Sequence, residues 1–249
     1  VNNQPMIPFF IYYSMFGFQR VGDMMWAAGD QLARGFMVGG TSGRTTLNGE
    51  GLQHEDGHSH IQAGVIPNCV TYDPSFAFEV AVIMQDGINR MYGEKQEDVF
   101  YYMTTLNEVM DQPAMPAGAE EGIRKGLYKF ETVEGKKGKG HVQLLGSGAI
   151  MRHVREAAQI LANDYGVTSD VFSAPSFNEL AREGHDAARW NLLHPTETQR
   201  VPYVAQVLAD LPTVASTDYV KAYADQIRAF VPSRHYHVLG TDGFGRSDS

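Results

Sequence analysis

Apolar positions along the chain follow either the pattern of a buried strand or the spacing of a helix, and regions of the two kinds alternate. The run of aromatic and β-branched residues from Phe9 to Tyr13 is typical of a buried strand. Apolar residues then recur at helical spacing over residues 21–32, which predicts a helix after that strand. Two further short strands are predicted at residues 35–38 and 99–106. The first part of the chain therefore alternates between strands and helices.

A helix start is predicted at Asp73. Asp73 and Pro74 have the order of an N-cap residue followed by proline at the first helical position. Apolar residues at Phe76, Val80 and Ile83 then follow on one helical face. We therefore expect a helix that is capped by the Asp73 side chain.

A linker is predicted at residues 107–122, which include Pro113 and Pro116, and it places a domain boundary between residues 115 and 116. The expected domains are residues 1–115 and 116–249. Beyond the linker, predicted strands alternate with predicted helices. The strands are expected at 141–145, 167–173, 213–216 and 236–239, and the helices at 150–165, 176–182, 201–211 and 219–230. This alternation predicts an α/β fold with parallel or mixed sheets and helices on both faces.

Composition and charge narrow the class of protein. The chain has 249 residues, of which 43% are hydrophobic, as expected for folded domains with cores. A net charge of -9 argues against a nucleic-acid partner, which would require a dense basic face. The most apolar stretch, residues 6–13, is much shorter than the roughly 20 residues of a membrane helix. Cys69 is the only cysteine, so no internal disulfide is expected and a cytoplasmic location is favoured.

The two ends of the sequence give a further expectation. Residue 1 is valine, and neither a basic start nor an apolar signal segment follows it. The last residues, 239–249, are rich in glycine and polar residues and end within a predicted turn region. We expect the sequence to be an internal part of a longer protein.

Residues 39–62 show almost no hydrophobic period and predict a long ordered loop. Irregular stretches of more than about 12 to 15 residues are uncommon inside compact domains and are often functional. This loop holds three of the nine histidines, together with acidic residues and glycines. Histidine can donate or accept a proton near neutral pH, so we expect functional side chains here. A solvated surface loop is the alternative.

Three loop residues also match the H-E-x-x-H zinc-peptidase pattern: His54, Glu55 and His58. That pattern works because residues four apart lie on one face of a helix. Asp56 and Gly57 are poor residues for a helix interior. Zinc chemistry is therefore a minor alternative.

Several strings in the chain resemble a known enzyme family. Glu55-Asp-Gly-His-Ser-His60 resembles the Glu-Asp-Gly-x-Thr/Ser-His pattern of the pyrimidine-binding domain in transketolase-like thiamine diphosphate enzymes. Four strings are similar to the homodimeric pyruvate dehydrogenases. They are residues 9–20, 45–60, 191–195 and 238–248. The resemblance covers nearly the whole chain, and it implies a partial pyrimidine-binding domain followed by a transketolase C-terminal-like domain.

The resemblance implies roles for five residues. Phe16 would pack on the aminopyrimidine ring of the cofactor, and Tyr13 would lie at the reaction centre and also contact the cofactor. His54 resembles an active-site histidine of the pyruvate dehydrogenases, and His60 resembles the transketolase histidine that contacts the donor substrate. Asp56 would lie near the substrate. Core packing is the alternative for Phe16 and turn formation for Asp56, and no metal ligand is expected among these residues.

The implied reaction is oxidative decarboxylation of pyruvate with thiamine diphosphate. The acetyl group would pass to a lipoyl group of a dihydrolipoamide acetyltransferase partner. Magnesium and the cofactor diphosphate would be bound by residues outside this sequence. The glutamate that contacts the pyrimidine would also lie outside it. The active site would lie at the interface of a homodimer, and this chain alone would be inactive. The second domain would contribute mainly to assembly and to contacts in the dimer.

Three other functions stay open at this point. Transketolase and deoxyxylulose-phosphate synthase share the Glu-Asp-Gly core, although the position of His54 favours the pyruvate dehydrogenases. A zinc peptidase would require a third metal ligand. A non-catalytic assembly module is the third alternative.

Overall fold

A computed structural model describes residues 4, 6–47 and 49–244 of the chain. The predicted turn region at the carboxyl end is therefore described only as far as Phe244, and residues 245–249 lie outside the described part. Val1 to Asn3, Pro5 and Asn48 also lie outside it.

Four strands form the first sheet, and all neighbouring strands in it are parallel. The order is β1 (Phe9–Tyr13), β2 (Phe36–Gly40), β4 (Phe100–Thr104) and β3 (Cys69–Tyr72). Parallel strands need crossover connections, and helices provide them here. These helices are α1 (Phe18–Asp30), α2 (Ser59–Gly64) and α3 (Ala77–Tyr92).

The first sheet is covered on both faces, which explains its nearly continuous apolar strands. In β4, Tyr101 and Met103 belong to the core on the α3 side. Phe100 and Tyr102 alternate with them and belong to the core on the side of α1 and α2. We call this sheet and its helices the first domain.

Five strands form the second sheet, which is mixed. Its order is β5 (Tyr128–Val133), β7 (Thr168–Ser173), β6 (His141–Gly146), β8 (Thr213–Val220) and β9 (Tyr236–Thr241). Only β5 runs antiparallel to its neighbour among these described strands. The helices that follow β4 are α4 (Glu120–Lys125), α5 (Met151–Ile160), α6 (Phe177–Leu193), α7 (Tyr203–Val207) and α8 (Lys221–Asp225). We call the second sheet and helices α4 to α8 the second domain.

The α/β fold with parallel and mixed sheets confirms the predicted class, but several elements differ from expectation. Strand β5 was not predicted, because it is an edge strand that carries exposed Lys129. Helix α6 was predicted to end at residue 182, but it continues to Leu193. Gly184 is buried in the helix, and a Cβ at this position would collide with the ring of Phe230. The glycine therefore serves close packing and does not end the helix.

The predicted cap at Asp73 is wrong. Helix α3 begins at Ala77, and the side chain of Glu79 satisfies its first backbone donors. Glu79 Oε2 accepts from the backbone N–H of Ser75 at 2.5 Å and of Phe76 at 3.2 Å. Asp73 is instead fully buried between the two domains, where Ser147 Oγ donates to it at 2.8 Å.

The two domains share a polar interface. Glu79 Oε1 accepts from Tyr128 Oη at 2.7 Å and from Ser173 Oγ at 2.6 Å, and both donors lie on strands of the second sheet. Helix α6 packs against β3 and α2, while α4 packs against α3. The boundary between residues 115 and 116 lies in the coil between β4 and α4, and its position stays a prediction. None of the described helices is long and apolar enough to cross a membrane.

Candidate active site

Of the three histidines that the sequence singles out, His60 lies on α2, and His54 and His58 lie in the loop from β2 to α2. This loop is shorter than predicted, because α2 begins at Ser59 and not after residue 62. A 3₁₀ turn at Leu52–His54 also interrupts it. The loop leaves the carboxyl end of β2, the edge of a parallel sheet where ligands commonly bind. We call residues 41–58 the histidine loop.

Three of the predicted site residues form one aromatic cluster: Tyr13, Phe16 and His54. The ring centroids of Tyr13 and Phe16 are 5.1 Å apart at an angle of 80°. The His54 ring lies 5.2 Å from the Tyr13 ring and 5.4 Å from the Phe16 ring. All three side chains are only partly buried. The cluster forms because a 3₁₀ turn, Ser14–Phe16, follows directly after β1 and brings Phe16 back beside Tyr13.

Charged groups border this cluster. Glu50 Oε2 lies 3.7 Å from His54 Nδ1, beyond hydrogen-bond distance, and Nδ1 is a buried atom with no hydrogen-bond partner among the described residues. The guanidinium of Arg20 lies 4.1 Å from the centre of the Phe16 ring. Burial, together with the charge of Glu50, raises the pKa of Tyr13 above its ordinary value. The Tyr13 hydroxyl is therefore protonated at neutral pH and available as a hydrogen-bond donor.

Asp56 is fully buried and binds the protein itself. Its Oδ1 accepts from the backbone N–H of His58 at 3.0 Å and of Ser59 at 2.9 Å. Its Oδ2 accepts from Ser14 Oγ at 2.7 Å and from Ser59 Oγ at 2.5 Å. The carboxylate thus holds the start of α2 against the turn after β1. These four bonds account for the buried charge without a substrate.

His60 lies in a different environment from His54. Its ring is fully buried, and its centroid lies 4.9 Å from those of both Tyr219 and Tyr223 in the second domain. Burial lowers the pKa of His60 to about 4, and the charge of Asp56 opposes this shift only in part. The ring is therefore neutral at physiological pH.

A hydrogen-bond chain sets the tautomer of His60. Its Nε2 lies 3.0 Å from Thr104 Oγ1, and that hydroxyl donates to Asp73 Oδ1 at 2.7 Å. When the Asp73 carboxyl group is ionised, Thr104 donates its single hydrogen to Asp73 and accepts from His60, which places the proton on Nε2. The chain ends at Ser147 of the second domain, which donates to the other oxygen of Asp73. His60 is therefore part of the domain interface.

The geometry does not support a zinc-peptidase site. His54 ends a 3₁₀ turn, whereas His58 lies at the N-cap position of α2, so no common helix carries them. Within residues 4, 6–47 and 49–244, no group of three or more His, Cys, Asp or Glu side chains is placed to hold a metal ion. The helix-based interpretation of H-E-x-x-H is therefore wrong for this chain.

Two residues that hold the histidine loop were not singled out from the sequence: Arg44 in the loop and Asp218 in β8. The backbone N–H of Arg44 donates to Asp218 Oδ2 at 2.7 Å, although the two residues are 174 positions apart. Gly43 before Arg44 was the one local signal, since glycine often allows backbone N–H groups to converge on an anion. No local pattern around Asp218 indicates its partner.

The cluster of Tyr13, Phe16 and His54 has a defined chemical capacity. Aromatic rings offer a surface on which a flat heterocycle can pack. A phenolic hydroxyl and an imidazole nitrogen can each donate to an oxygen that gains negative charge. The arrangement is suited to binding an aromatic cofactor and a small oxygen-rich substrate.

The chain matches two known protein families. Residues 1–113 match the family described as the pyruvate dehydrogenase E1 component middle domain, and residues 126–249 match the transketolase-like C-terminal domain. The chain is 98% identical to the pyruvate dehydrogenase E1 component of Haemophilus influenzae over 249 residues. It is 74% identical to that of Escherichia coli K12 over 248 residues and 61% identical to that of Pseudomonas aeruginosa over 250 residues. Each match covers 100% of this chain and 28% of the relative, so the chain spans about 28% of the length of these relatives.

Solved structures show the same fold at low sequence identity. The transketolase of Campylobacter jejuni superimposes with a TM-score of 0.70 at 16% identity, over 98% of this chain and 32% of that chain. The transketolase of Leishmania mexicana superimposes with a TM-score of 0.67 at 18% identity, over 98% of this chain and 31% of that chain. At these identities the likeness shows the fold alone.

Proposed function

Because this chain belongs to the family of pyruvate dehydrogenase E1 components, we propose that the protein containing it releases carbon dioxide from pyruvate with thiamine diphosphate as cofactor. The acetyl group then passes to a lipoyl group of a dihydrolipoamide acetyltransferase partner, in the cytoplasm. One observation in the structure carries the proposal. The Tyr13–Phe16–His54 cluster places aromatic surface and two polar groups at the carboxyl end of a parallel sheet.

The residues of the cluster fit the pyrimidine ring of this cofactor. Phe16 and Tyr13 provide partly exposed aromatic rings, and within the described part of the chain His54 Nδ1 is a buried atom without a hydrogen-bond partner. When bound, thiamine diphosphate would supply the electron sink that stabilises the negative charge left by departing carbon dioxide. We place magnesium and the diphosphate on parts of the protein outside this chain.

We assign the direct substrate contacts to His54 and Tyr13. The protonated Tyr13 hydroxyl can donate to the pyruvate carbonyl oxygen as negative charge develops there. His54 can hydrogen-bond the carboxylate or the same oxygen, and Glu50 lies beside it to orient the ring. The predicted contact between His60 and the substrate would require this ring to leave its buried position. Asp56 would similarly have to give up its four bonds to the protein.

A homodimer with the active site at its interface is part of the proposal. Strand β1, which ends at Tyr13, is an edge strand of its sheet. Phe10 is 57% exposed and Ile11 is 71% exposed on this strand. Exposed apolar edges of this kind commonly mark interaction surfaces. A second subunit placed there would close the site around the aromatic cluster.

The test uses the full-length gene product. Carbon dioxide release from pyruvate is measured with and without thiamine diphosphate and magnesium. A parallel assay offers a ketose phosphate as a two-carbon donor. Release from pyruvate that depends on the cofactor supports the proposal. Transfer from the sugar phosphate without release from pyruvate would overturn it in favour of a transketolase-type reaction.

A further inference from the structure

The histidine loop is held at both of its ends by strand β8 of the second domain. At the first end, the carboxylate of Asp218 accepts from the backbone N–H of Arg44 at 2.7 Å and of Thr45 at 3.0 Å. The Thr45 hydroxyl also donates to it. At the other end, the backbone N–H of Val220 donates to the carbonyl of Gly57 at 3.0 Å. His54 lies between these two attachment points.

A bulge in β8 makes the first attachment possible. Ser216 pairs with Leu239 and Val220 pairs with Thr241, so three residues of β8 lie opposite a single residue of β9. Bulges turn side chains out of the regular alternation of a strand. Here the bulge directs Asp218 to the histidine loop and Tyr219 to the ring of His60. Both residues are 3% exposed or less.

Arg44 adds a second connection from the loop to the same domain. Its guanidinium donates to the hydroxyl of Thr241 and, at 3.0 Å, to the carbonyl of Gly243. It also lies directly against Gly57, where any Cβ would collide with it. Burial lowers the pKa of Arg44, and the nearby charges of Glu55 and Asp218 oppose that effect.

We propose that Asp218 is a positioning residue for the reaction: it fixes the histidine loop so that His54 stays packed against Tyr13 and Phe16. This inference rests on the proposed function. It gives the second domain a direct part in the active site, in addition to assembly. Three donors converge on one buried carboxylate, and that geometry is lost if the charge or either oxygen is removed. A shift of about 1 Å in a catalytic group can cost on the order of 100-fold in rate.

The first arm of the test measures activity in the full-length protein. Asp218→Asn keeps the side-chain volume but turns an NH₂ group towards backbone donors. We expect kcat for carbon dioxide release to fall by about 10- to 100-fold, with a smaller change in KM. Asp225→Asn is the matched control, because Asp225 is partly exposed in the same domain and pairs only with Arg228 among the described residues. Its activity should equal that of the wild type.

The same substitution is then made in a His54→Ala protein. If Asp218 acts through His54, a further loss of no more than about threefold is expected there, since coupled residues are not additive. An equal fold-loss in both backgrounds would show a general structural effect and would overturn the proposal. Thr45→Val provides a second variant from the loop side, with a smaller loss in the same direction.

The second arm does not depend on activity. Amide hydrogen exchange of peptides from residues 44–58 is measured for the wild type, Asp218→Asn and Asp225→Asn. We expect faster exchange in this segment for Asp218→Asn only, with unchanged exchange in the β6 and β7 peptides. Unchanged exchange in the loop would overturn the positioning role, whatever the activity shows. If the wild type releases no carbon dioxide but the loop result holds, the proposed function fails and the positioning role stands.

Discussion

The imidazole ring of His60 stacks on the phenol ring of Tyr223, with centroids 4.9 Å apart and an angle of 22° between the planes. His60 follows the histidine loop in the first domain, and Tyr223 lies on α8 in the second. The stack is therefore part of the interface between the domains. Together with Tyr219, it removes from solvent a histidine that the sequence suggested for substrate contact.

The titration of His60 is the first prediction. Burial lowers its pKa from an ordinary value of 6.5 to about 4, so the folded state favours the neutral ring. The stability that this ring contributes is complete above pH 6.5 and is lost as the pH falls towards 4. Exchange of the histidine C2 hydrogen, followed by mass spectrometry, should give a midpoint near 4 for His60. A midpoint above 6 would contradict the buried, neutral assignment.

Ionisation of Asp73 should lower the stability of the fold as the pH rises, whereas protonation of His60 lowers it as the pH falls. Burial raises the pKa of its carboxyl group from 3.8 to about 7, although hydrogen bonds from Thr104 and Ser147 oppose the shift. The contribution of Asp73 is therefore complete below pH 3.8 and is lost as the pH rises through 7. A difference of one between the pKa in the folded state and that in the unfolded state corresponds to about 1.4 kcal/mol of free energy.

The check for Asp73 compares the full-length wild type with Asp73→Asn, which cannot ionise. Urea unfolding midpoints are measured at several values from pH 4.5 to 7.5. We expect the wild type to lose stability relative to the variant as the pH rises across this range. The titration of His60 occurs in both proteins and largely cancels in the difference. A difference that stays constant with pH would contradict the assigned pKa shift.

Two glycines of the histidine loop form a matched pair. Gly43 has a φ of +78° and Gly49 a φ of +82°, both in the left-handed region that favours glycine. A Cβ on Gly43 would collide with Oδ2 of Asp218, whereas a Cβ on Gly49 meets no atom of the described, non-adjacent residues within 4 Å. Gly49→Ala should therefore cost only the backbone strain of about 1 to 2 kcal/mol.

Gly43→Ala should cost more, because it adds the loss of the Asp218 hydrogen bonds to the same strain. We expect an additional loss of about 1 to 3 kcal/mol, the cost of leaving buried donors unpaired. Unfolding of both variants in urea gives the comparison. Equal losses of stability would mean that the loop can shift away from Asp218 without cost.

The hydrophobic pattern was sufficient to locate several strands of the first sheet. Strand β1 was predicted with its observed bounds, Phe9–Tyr13, and β4 differs from its prediction by a few residues. The prediction that β1 is buried is wrong, because β1 is an edge strand with exposed side chains. The pattern failed where partners from the other domain decide the structure. Asp73 looks like a helix cap in its local sequence, but Ser147 and Thr104 bind it instead.

In the candidate site, too, local sequence was sufficient for some residues, whereas contacts with the other domain decide the position of others. The motif strings identified Tyr13, Phe16 and His54, and the structure brings these three side chains together. The strings also grouped His60 with His54, because the two residues are neighbours in sequence. His60 lies on helix α2, which directs its ring into the domain interface. The tyrosines that bury this ring are remote from it in the chain. No local pattern carries that information.

The assignment of the reaction to the Tyr13–Phe16–His54 cluster can be tested by comparing two histidines of the histidine loop in the full-length protein. His54→Ala and His58→Ala are assayed for thiamine-diphosphate-dependent carbon dioxide release from pyruvate, after exchange or melting shows that both are folded. We predict that kcat/KM falls by about 100- to 1,000-fold for His54→Ala, the range expected for a lost proton-transfer or oxyanion-binding group. His58→Ala should stay within about twofold of the wild type. A His54→Ala protein with nearly normal kcat/KM would contradict the assignment of the reaction to the Tyr13–Phe16–His54 cluster.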